Sequence, residues 1–572
     1  MANFSLSNVV VKVDGQALAD ELRTNLMLVE VDLSINLPGM FVLDFFDPSM
    51  SLFDGTTLQV GKTVVVSLET DRVGESANSS GQLIKGSITA LEPVFDVQDA
   101  TRWRVRGYDD SHRLHRQQKV RTFVNASDSD IVRQIASDNG LSPRITSTNI
   151  VHDAVYQFNQ TDFDFIRERA LRVGFICAFV DSKLYFGPAS GVGGDGPSLR
   201  YGDALHFFSP RLSTSGQAKE VSVRGWDRKA KQAIVGVASS PAFNFRAGES
   251  ATGGATAVRA HFGGESLHFY NVPVDTQGEA EKIAASMLDN RESLYLQGEG
   301  TCDGDPRIRA GHSLTLDGLG TKFNGKYFVT RAAHRLNRRG YETDISLAGL
   351  RGDSLADLIG SGSGAPSERA HRSYGVLPAV VTNNGDPEKL GRVKVKYPSV
   401  SDEQESGWVP VAVPRSGKQM GFWLIPNVDD EVLVAFEQGE FNRPYVIGSL
   451  WNGKDAPPSD GTNAQNAHDV HELLTLKGSK FLIDDSSGNE VILLTTSDGF
   501  SLRLDKSKKQ VELTEPGGMK VTLDGAAKSM TLEGATQVNV KAQGSVKVES
   551  SGTVDVSGSG PVNIKGAIVN IN

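Results

Sequence analysis

Apolar and polar residues alternate along most of this chain with a period of two, the signature of strands that bury one face. The alternation is strictest at the C-terminal end. Gly544-Ser-Val546-Lys-Val548, Gly552-Thr-Val554-Asp-Val556 and Gly560-Pro-Val562-Asn-Ile564 are one pattern repeated every eight residues. Val538/Val540 keeps the spacing upstream, and Gly566…Val569-Asn-Ile571 repeats it with a small slip. Looser pairs, Val511/Leu513, Val521/Leu523 and Met530/Leu532, precede them. The glycine two residues before each pair sits where a chain turning a corner needs positive φ or has no room for Cβ. Burying two Val or Ile side chains is worth roughly 3–6 kcal/mol, while ordering eight backbone residues costs about 8–16 kcal/mol. One octad cannot stand alone, so the pattern predicts stacked repeats, a β-helix or prism, with the number of chains left open. A disordered Gly/Ser/Val tail would not keep this register. An amyloid-like run is interrupted by Lys541, Lys547, Asp555 and the corner glycines.

Upstream, β-branched runs separated by Gly, Pro, Asn or Asp over residues 4–105 predict a small barrel or sandwich, with residues 71–81 as a mobile hairpin loop. Two amphipathic helices then break the alternation. Residues 127–140 have Ser127 or Asp128 as cap and Gly140 as stop; residues 160–174 have Thr161 or Asp162 as cap and Gly174 as stop. A third covers 279–295, with Ile283, Met287, Leu288 and Leu294 inward. Residues 187–198 read as a flexible loop, 240–267 as Gly/Ala-rich and unpatterned, and 297–350 as strands. A Gly/Ser linker at 360–366 marks the best domain boundary. Five or six short strands over 373–453 fit a closed five-stranded barrel. The expected division is a first region of barrel-like modules with α/β insertions over 1–365, the barrel over 371–455, a linker over 456–474 and the β-helical repeat region over 475–572.

Composition narrows the class. The 572 residues are 39% apolar and 22% charged, as in soluble globular proteins, and no apolar run is long enough to span a membrane. The N-terminus lacks the basic and apolar segments of a secretory signal, so synthesis in the cytoplasm without a cleavable leader is expected. Cys177 and Cys302 are too few for a disulfide framework, and the net charge of −10 argues against a nucleic-acid surface.

One block carries a specific resemblance. DPEKLGRVKVKYP, SGWVPVAVP and RSGKQMGFWLIPNVDDEVLVAFEQGEFNRPYVIGSLWNG, within 386–453, closely resemble the oligonucleotide/oligosaccharide-binding (OB) fold of VgrG and phage baseplate spike proteins. Segments 129–141 and 155–175 look like the same family's hub. Asp429 departs from the family, which usually has glycine there. The resemblance implies a mainly β protein with α+β insertions: a barrel-like hub, an OB-fold barrel and a C-terminal trimeric intertwined β-helix. It implies a homotrimer whose pseudo-sixfold hub fits a hexameric inner-tube protein and baseplate proteins, in a type VI system, a phage or an extracellular phage-tail-like particle. The needle's trimer core would be Val538, Val540, Val546, Val548, Val554, Val556, Val562, Ile564, Val569 and Ile571. Eight octads from Val511 would give a needle of about 40 Å at one inter-strand spacing per strand. Ile568, Val569, Asn570, Ile571 and Asn572 would be a blunt platform for a PAAR-repeat tip protein. Cargo effectors are further partners the family implies.

Candidate chemistry changes little. The carboxylate pairs Asp429-Asp430 and Asp484-Asp485 read as turn caps rather than a catalytic dyad. His468-Asp-Val-His471-Glu472 has metal-ligand spacing but no helix pattern, and reads as a solvated loop, with a structural ion on a trimer axis as the minority reading. Trp408, Phe422 and Trp423 could stack bases, yet serve equally as packing. Gly318–Lys326 lacks phosphate-loop spacing and reads as a hairpin. The expectation is a non-enzymatic spike without cofactor, metal site or nucleic-acid partner. A trimeric surface-binding fibre or adhesin is the alternative, although residues 511–572 contain no aromatic. A cell-wall hydrolase is the other.

Overall fold

The computed structural model describes residues 9–350 and 373–571, apart from 49, 71–78, 96–100, 244, 246, 249–251, 264–265, 348, 402–403, 459–468 and 535. The Gly/Ser linker at 360–366 and most of the 71–81 loop lie outside these. The chain divides into two units, Met1–Leu450 and Trp451–Asn572. Strands dominate both. Among the described residues no helix is long and apolar enough to cross a membrane.

An eleven-stranded antiparallel sheet organises the first unit. Its first part holds Val9–Val13, Leu26–Ser34, Met40–Phe46, Thr63–Thr70, Ser79–Val94 and Arg102–Asp109, close to the predicted runs. Alternation does the folding: Val9, Val11 and Val13 point into one core with Val29, Val31, Phe41, Phe45 and Trp103. Gly107 opposes Phe41, and a Cβ there would lie 2.2 Å from the Phe41 ring, so glycine is required. On the outer side Arg104 grips Asp44 opposite it through two bonds of 2.8 Å. The sheet then continues without a break into strands from far along the chain. Arg331–Asn337 pairs antiparallel with Leu26–Ser34, followed by Gly340–Leu347, Leu296–Asp303 and Leu205–Leu212, over a second core around Cys302, Leu316 and Ile345. Bidentate Arg331–Asp32 pins the seam between the two halves.

The three expected helices form where local signals placed them. Asp128–Asp138 is closed by a Ser127 capping box with Asp130. Asp162–Val173 starts at Thr161 and stops at Gly174, left-handed with φ 74°. Gln277–Ser293 is capped by Thr276 and buries Ala280, Ile283, Ala284 and Leu288. Leu294, expected inward, caps this helix's C-terminus and is exposed. Two further expectations are corrected. The 187–198 stretch contributes to the strand Asp195–Arg200, parallel to Ser313–Asp317, and the unpatterned 240–267 stretch contains the helix Gly254–Phe262.

Residues 376–449 close the expected five-stranded barrel. Val376–Asn383 lies between Lys394–Lys396 and Glu431–Phe436, which pairs with Pro444–Ser449. The fifth strand is the 405–411 segment. It bridges antiparallel to the second strand at Val393↔Val409 and Lys396↔Glu405, and parallel to the last at Val411↔Val446, closing the ring. Asp429 stands with φ 75°, the backbone that explains the family's glycine at this turn.

The second unit is a seven-stranded antiparallel meander of five-residue strands, from Val470–Leu474 to Ser529–Glu533, each paired with its neighbours in sequence. It begins inside the stretch read as a linker. It also absorbs the looser pairs from Val511 to Leu532, which belong to intrachain hairpins rather than to the octad repeat. The eight-octad count is therefore too high, and the octads proper follow Glu533.

Candidate functional site

Two surfaces stand out, a joint inside the first unit and an uncovered apolar face on the second. The joint links the barrel to the hub. Tyr156 and Phe158, on the strand Val151–Thr161, enter the barrel core. Phe158 stacks on Phe441 with centroids 4.0 Å apart, and Tyr156 meets the edge of Phe441 at 5.2 Å. Asn442 mimics a strand partner, accepting from the Tyr156 N–H at 2.6 Å and donating to the Tyr156 carbonyl at 3.2 Å. Beside this seam Arg172 is buried among three carboxylates: Glu279 at 3.0 Å, Glu440 of the barrel at 3.2 Å and Glu168 at 3.8 Å. Burial opposes the guanidinium's charge, but Glu440 and Glu279 outweigh it and raise its pKa. The same pairing with Arg172 overcomes burial at Glu279 and holds that carboxyl below its ordinary range. Nothing in the sequence pattern singles out these residues.

On the meander, residues directly opposite across an antiparallel pair share a face. The register therefore builds two ladders on one side. One runs His471↔Ile483↔Ile492↔Leu504↔Val511↔Leu523↔Met530, the other Leu473↔Phe481↔Leu494↔Leu502↔Leu513↔Val521↔Leu532. Thirteen of these fourteen positions are apolar, and most of them face solvent. Over the last four strands the opposite face carries charges and hydroxyls, including Arg503 beside Asp505 and Lys520 at 2.7 Å from Glu512. The apolar pairs recur every nine to eleven residues rather than every eight; sequence reading follows the looser pairs only back to Val511/Leu513 and misses the four strands above them.

The octads carry no strand among the described residues from 536 to 571. The first members of the four pairs, Val538, Val546, Val554 and Val562, are 54–61% exposed and the second members, Val540, Val548, Val556 and Ile564, 71–73%. Successive octads thus have near-equal exposures, with every inward-predicted side chain uncovered in a single chain. Ile568, Val569, Asn570 and Ile571 are exposed too, and Asn572 lies outside the described residues.

The remaining candidates separate. His471 lies on the apolar face and Glu472 on the other, so they do not converge; His468 lies outside the described residues. Within the chain no group of three or more His, Cys, Asp or Glu is placed to hold a metal among the described residues. Asp430 accepts from the Asn427 N–H and Asp484 from the Ser486 N–H, both as turn caps. Phe422 and Trp423 are exposed beside the two-stranded hairpin of Ser416–Gly417 and Met420–Gly421. Gly318–Lys326 forms the expected hairpin connection, with one helical turn, Gly320–Phe323, inside it.

Comparison with known proteins places this architecture. Residues 3–338, more than half of the chain, match the Alg8 N-terminal domain, and residues 377–451 match the type VI secretion system/phage-baseplate injector OB domain. The chain is 25% identical to the type VI secretion system spike protein VgrG1c of Pseudomonas aeruginosa over 60% of its own length and 49% of that protein. It is 25% identical to VgrG1a of the same organism over 60% and 56%. It thus spans about half the length of the curated relatives it matches. Among solved structures it is similar to the E. coli c3393 component of the type VI secretion system, with a TM-score of 0.46 and 15% identity over 77% of this chain and 99% of that one. By the family match over more than half of its length, the chain belongs to the family of the Alg8 N-terminal domain, and with the injector OB domain behind that match it is similar to the VgrG spike proteins.

Proposed function

We propose that the chain is one third of the homotrimeric spike of a contractile injection system. In this reading the hub caps the distal end of a hexameric inner tube and organises baseplate proteins around it. The needle bears on the target envelope behind a PAAR-type tip seated on Ile568, Val569, Asn570, Ile571 and Asn572. The observation that carries the proposal is the apolar side of the second unit. Leu, Ile and Phe side chains are each worth about 1.5–3 kcal/mol when buried, and a lone chain leaves most of two ladders of them wet. Three copies turned inward would cover all of them at once. They would also give each octad the neighbours it lacks, removing the open strand edges. The mechanism is mechanical: force from the contracting sheath passes down the tube and is concentrated by the needle. No catalytic group takes part.

The test is the mass and detergent resistance of the purified chain. Light scattering is expected to give three chains, resistant to SDS. Val554→Asp with Val556→Asp inserts six carboxylates into the closed core of three chains, where unpaired charge costs several kcal/mol, and is expected to abolish the SDS-resistant trimer. Unchanged trimers would overturn the prism.

A further inference from the structure

We propose that three His471 side chains, one from each copy, bind a single divalent transition-metal ion of the zinc class on the threefold axis at the head of the needle. The inference rests on the trimeric reading above and adds a ligand to it. Of the fourteen positions on the apolar face, His471 is the only one that is polar or titratable. It stands on the first strand of the meander, opposite Ile483, with Leu473 two residues along on the same face. Among the described residues no hydrogen bond or ion pair holds its ring. Turned inward with its ladder, the imidazole would lose water and gain no protein partner, a cost of roughly 1–3 kcal/mol for each of three rings. A shared metal removes that cost, because neutral imidazole nitrogen is a preferred zinc ligand.

Strand length makes the geometry possible. Five residues of antiparallel strand span about 17 Å, and a triangular prism of that side sets each wall about 5 Å from the axis. His471 is the second of the five residues of Val470–Leu474, one position off the middle, which puts its backbone about 6 Å from the axis. An imidazole side chain plus a metal–nitrogen bond of about 2 Å crosses that distance. Three such nitrogens make an open three-histidine set with a fourth position for water. The lower rungs carry Leu, Ile, Val, Phe and Met, so no second site of this kind forms below. As the one polar rung, the ion would also fix the register in which three otherwise greasy faces meet, a role that single buried polar residues play in coiled coils.

The experiment uses the full, tag-free chain, stripped with chelator and titrated with zinc alone. Metal analysis of the trimer is expected to give one tight zinc per three chains and a raised melting temperature. His471→Gln is expected to leave the trimer mass intact while weakening uptake at least about tenfold and removing the thermal shift. A trimer that takes up no zinc, or takes it up equally with His471→Gln, overturns the metal site and leaves the trimer standing. A chain that remains monomeric overturns both.

Discussion

Burial holds the His334 imidazole neutral, with Arg309 adding repulsion, and its pKa is pushed down to about 3. The neutral ring is fully used. Nε2 lies 2.9 Å from the Ile308 carbonyl and donates to it, which leaves the single lone pair of Nδ1 to accept from Tyr341 Oη at 2.7 Å, with Thr343 Oγ1 3.1 Å away. His115, stacked on Phe163, is likewise pushed down by burial, to about 4. In the unfolded chain both take a proton below about pH 6.5, whereas the folded hub refuses it until pH 3–4. These two rings thus contribute stability that is whole above pH 6.5 and is lost with acid, by up to about 1.4 kcal/mol per pH unit for each. The buried Asp109 carboxyl, pushed up to about 7 by burial, works in the opposite sense and offsets part of that slope. Urea midpoints measured at pH 7, 5.5 and 4.5 should decline in that order, and His334→Gln should flatten the slope. Asp429 gives a second prediction at this scale. Its φ of 75° suits glycine or a short polar residue. Asp429→Gly should leave barrel stability within about 0.5 kcal/mol, while branched Asp429→Val should lower it by about 1–2 kcal/mol in denaturant titration.

Between elements, the Arg172 cluster ties the helix Asp162–Val173 to the helix Gln277–Ser293 and to the barrel turn that bears Glu440. Removing one member of a buried ionic cluster strands the rest, typically at about 3–5 kcal/mol. Arg172→Met should thus speed amide exchange in residues 437–443 and expose the chain between hub and barrel to protease. Glu168→Gln, which removes the most distant carboxylate, should do far less. The elements divide by how far their causes lie along the chain. Ser127, Thr161 and Gly174 act on neighbours three or four residues away, so the helices they bound were legible, as was the barrel with its dense run of strands. Gly253 offers no side-chain cap to the helix Gly254–Phe262, and that helix was missed. Tyr156 and Asn442 stand 286 positions apart, and no periodicity reports such a contact. Of the meander's apolar face, the last three strands were legible only as loose pairs and the first four not at all, because the apolar pairs there recur at nine to eleven residues rather than at a fixed eight.

At the scale of the molecule, the hub's two halves share one sheet across the Leu26–Ser34 and Arg331–Asn337 seam, and the barrel is locked to the hub by the aromatic joint. Force entering the hub can reach the barrel through packed side chains rather than through a tether. In the spike role proposed above no chemistry is needed, and a peptidoglycan zymogram of the purified chain should show no cleared band; a band would reinstate the hydrolase. The meander carries one more consequence, for the order of assembly. Each of its strands pairs only with strands next to it in sequence, so its hairpins close over short loops and fold quickly in any one chain. Among the described residues the octads find no strand partner. In the trimeric reading proposed above, their folding would be a step of higher molecularity that follows the meeting of three meanders. Dilution should slow that phase alone, and a chain arrested in it would hold a finished hub and barrel behind an unfinished point.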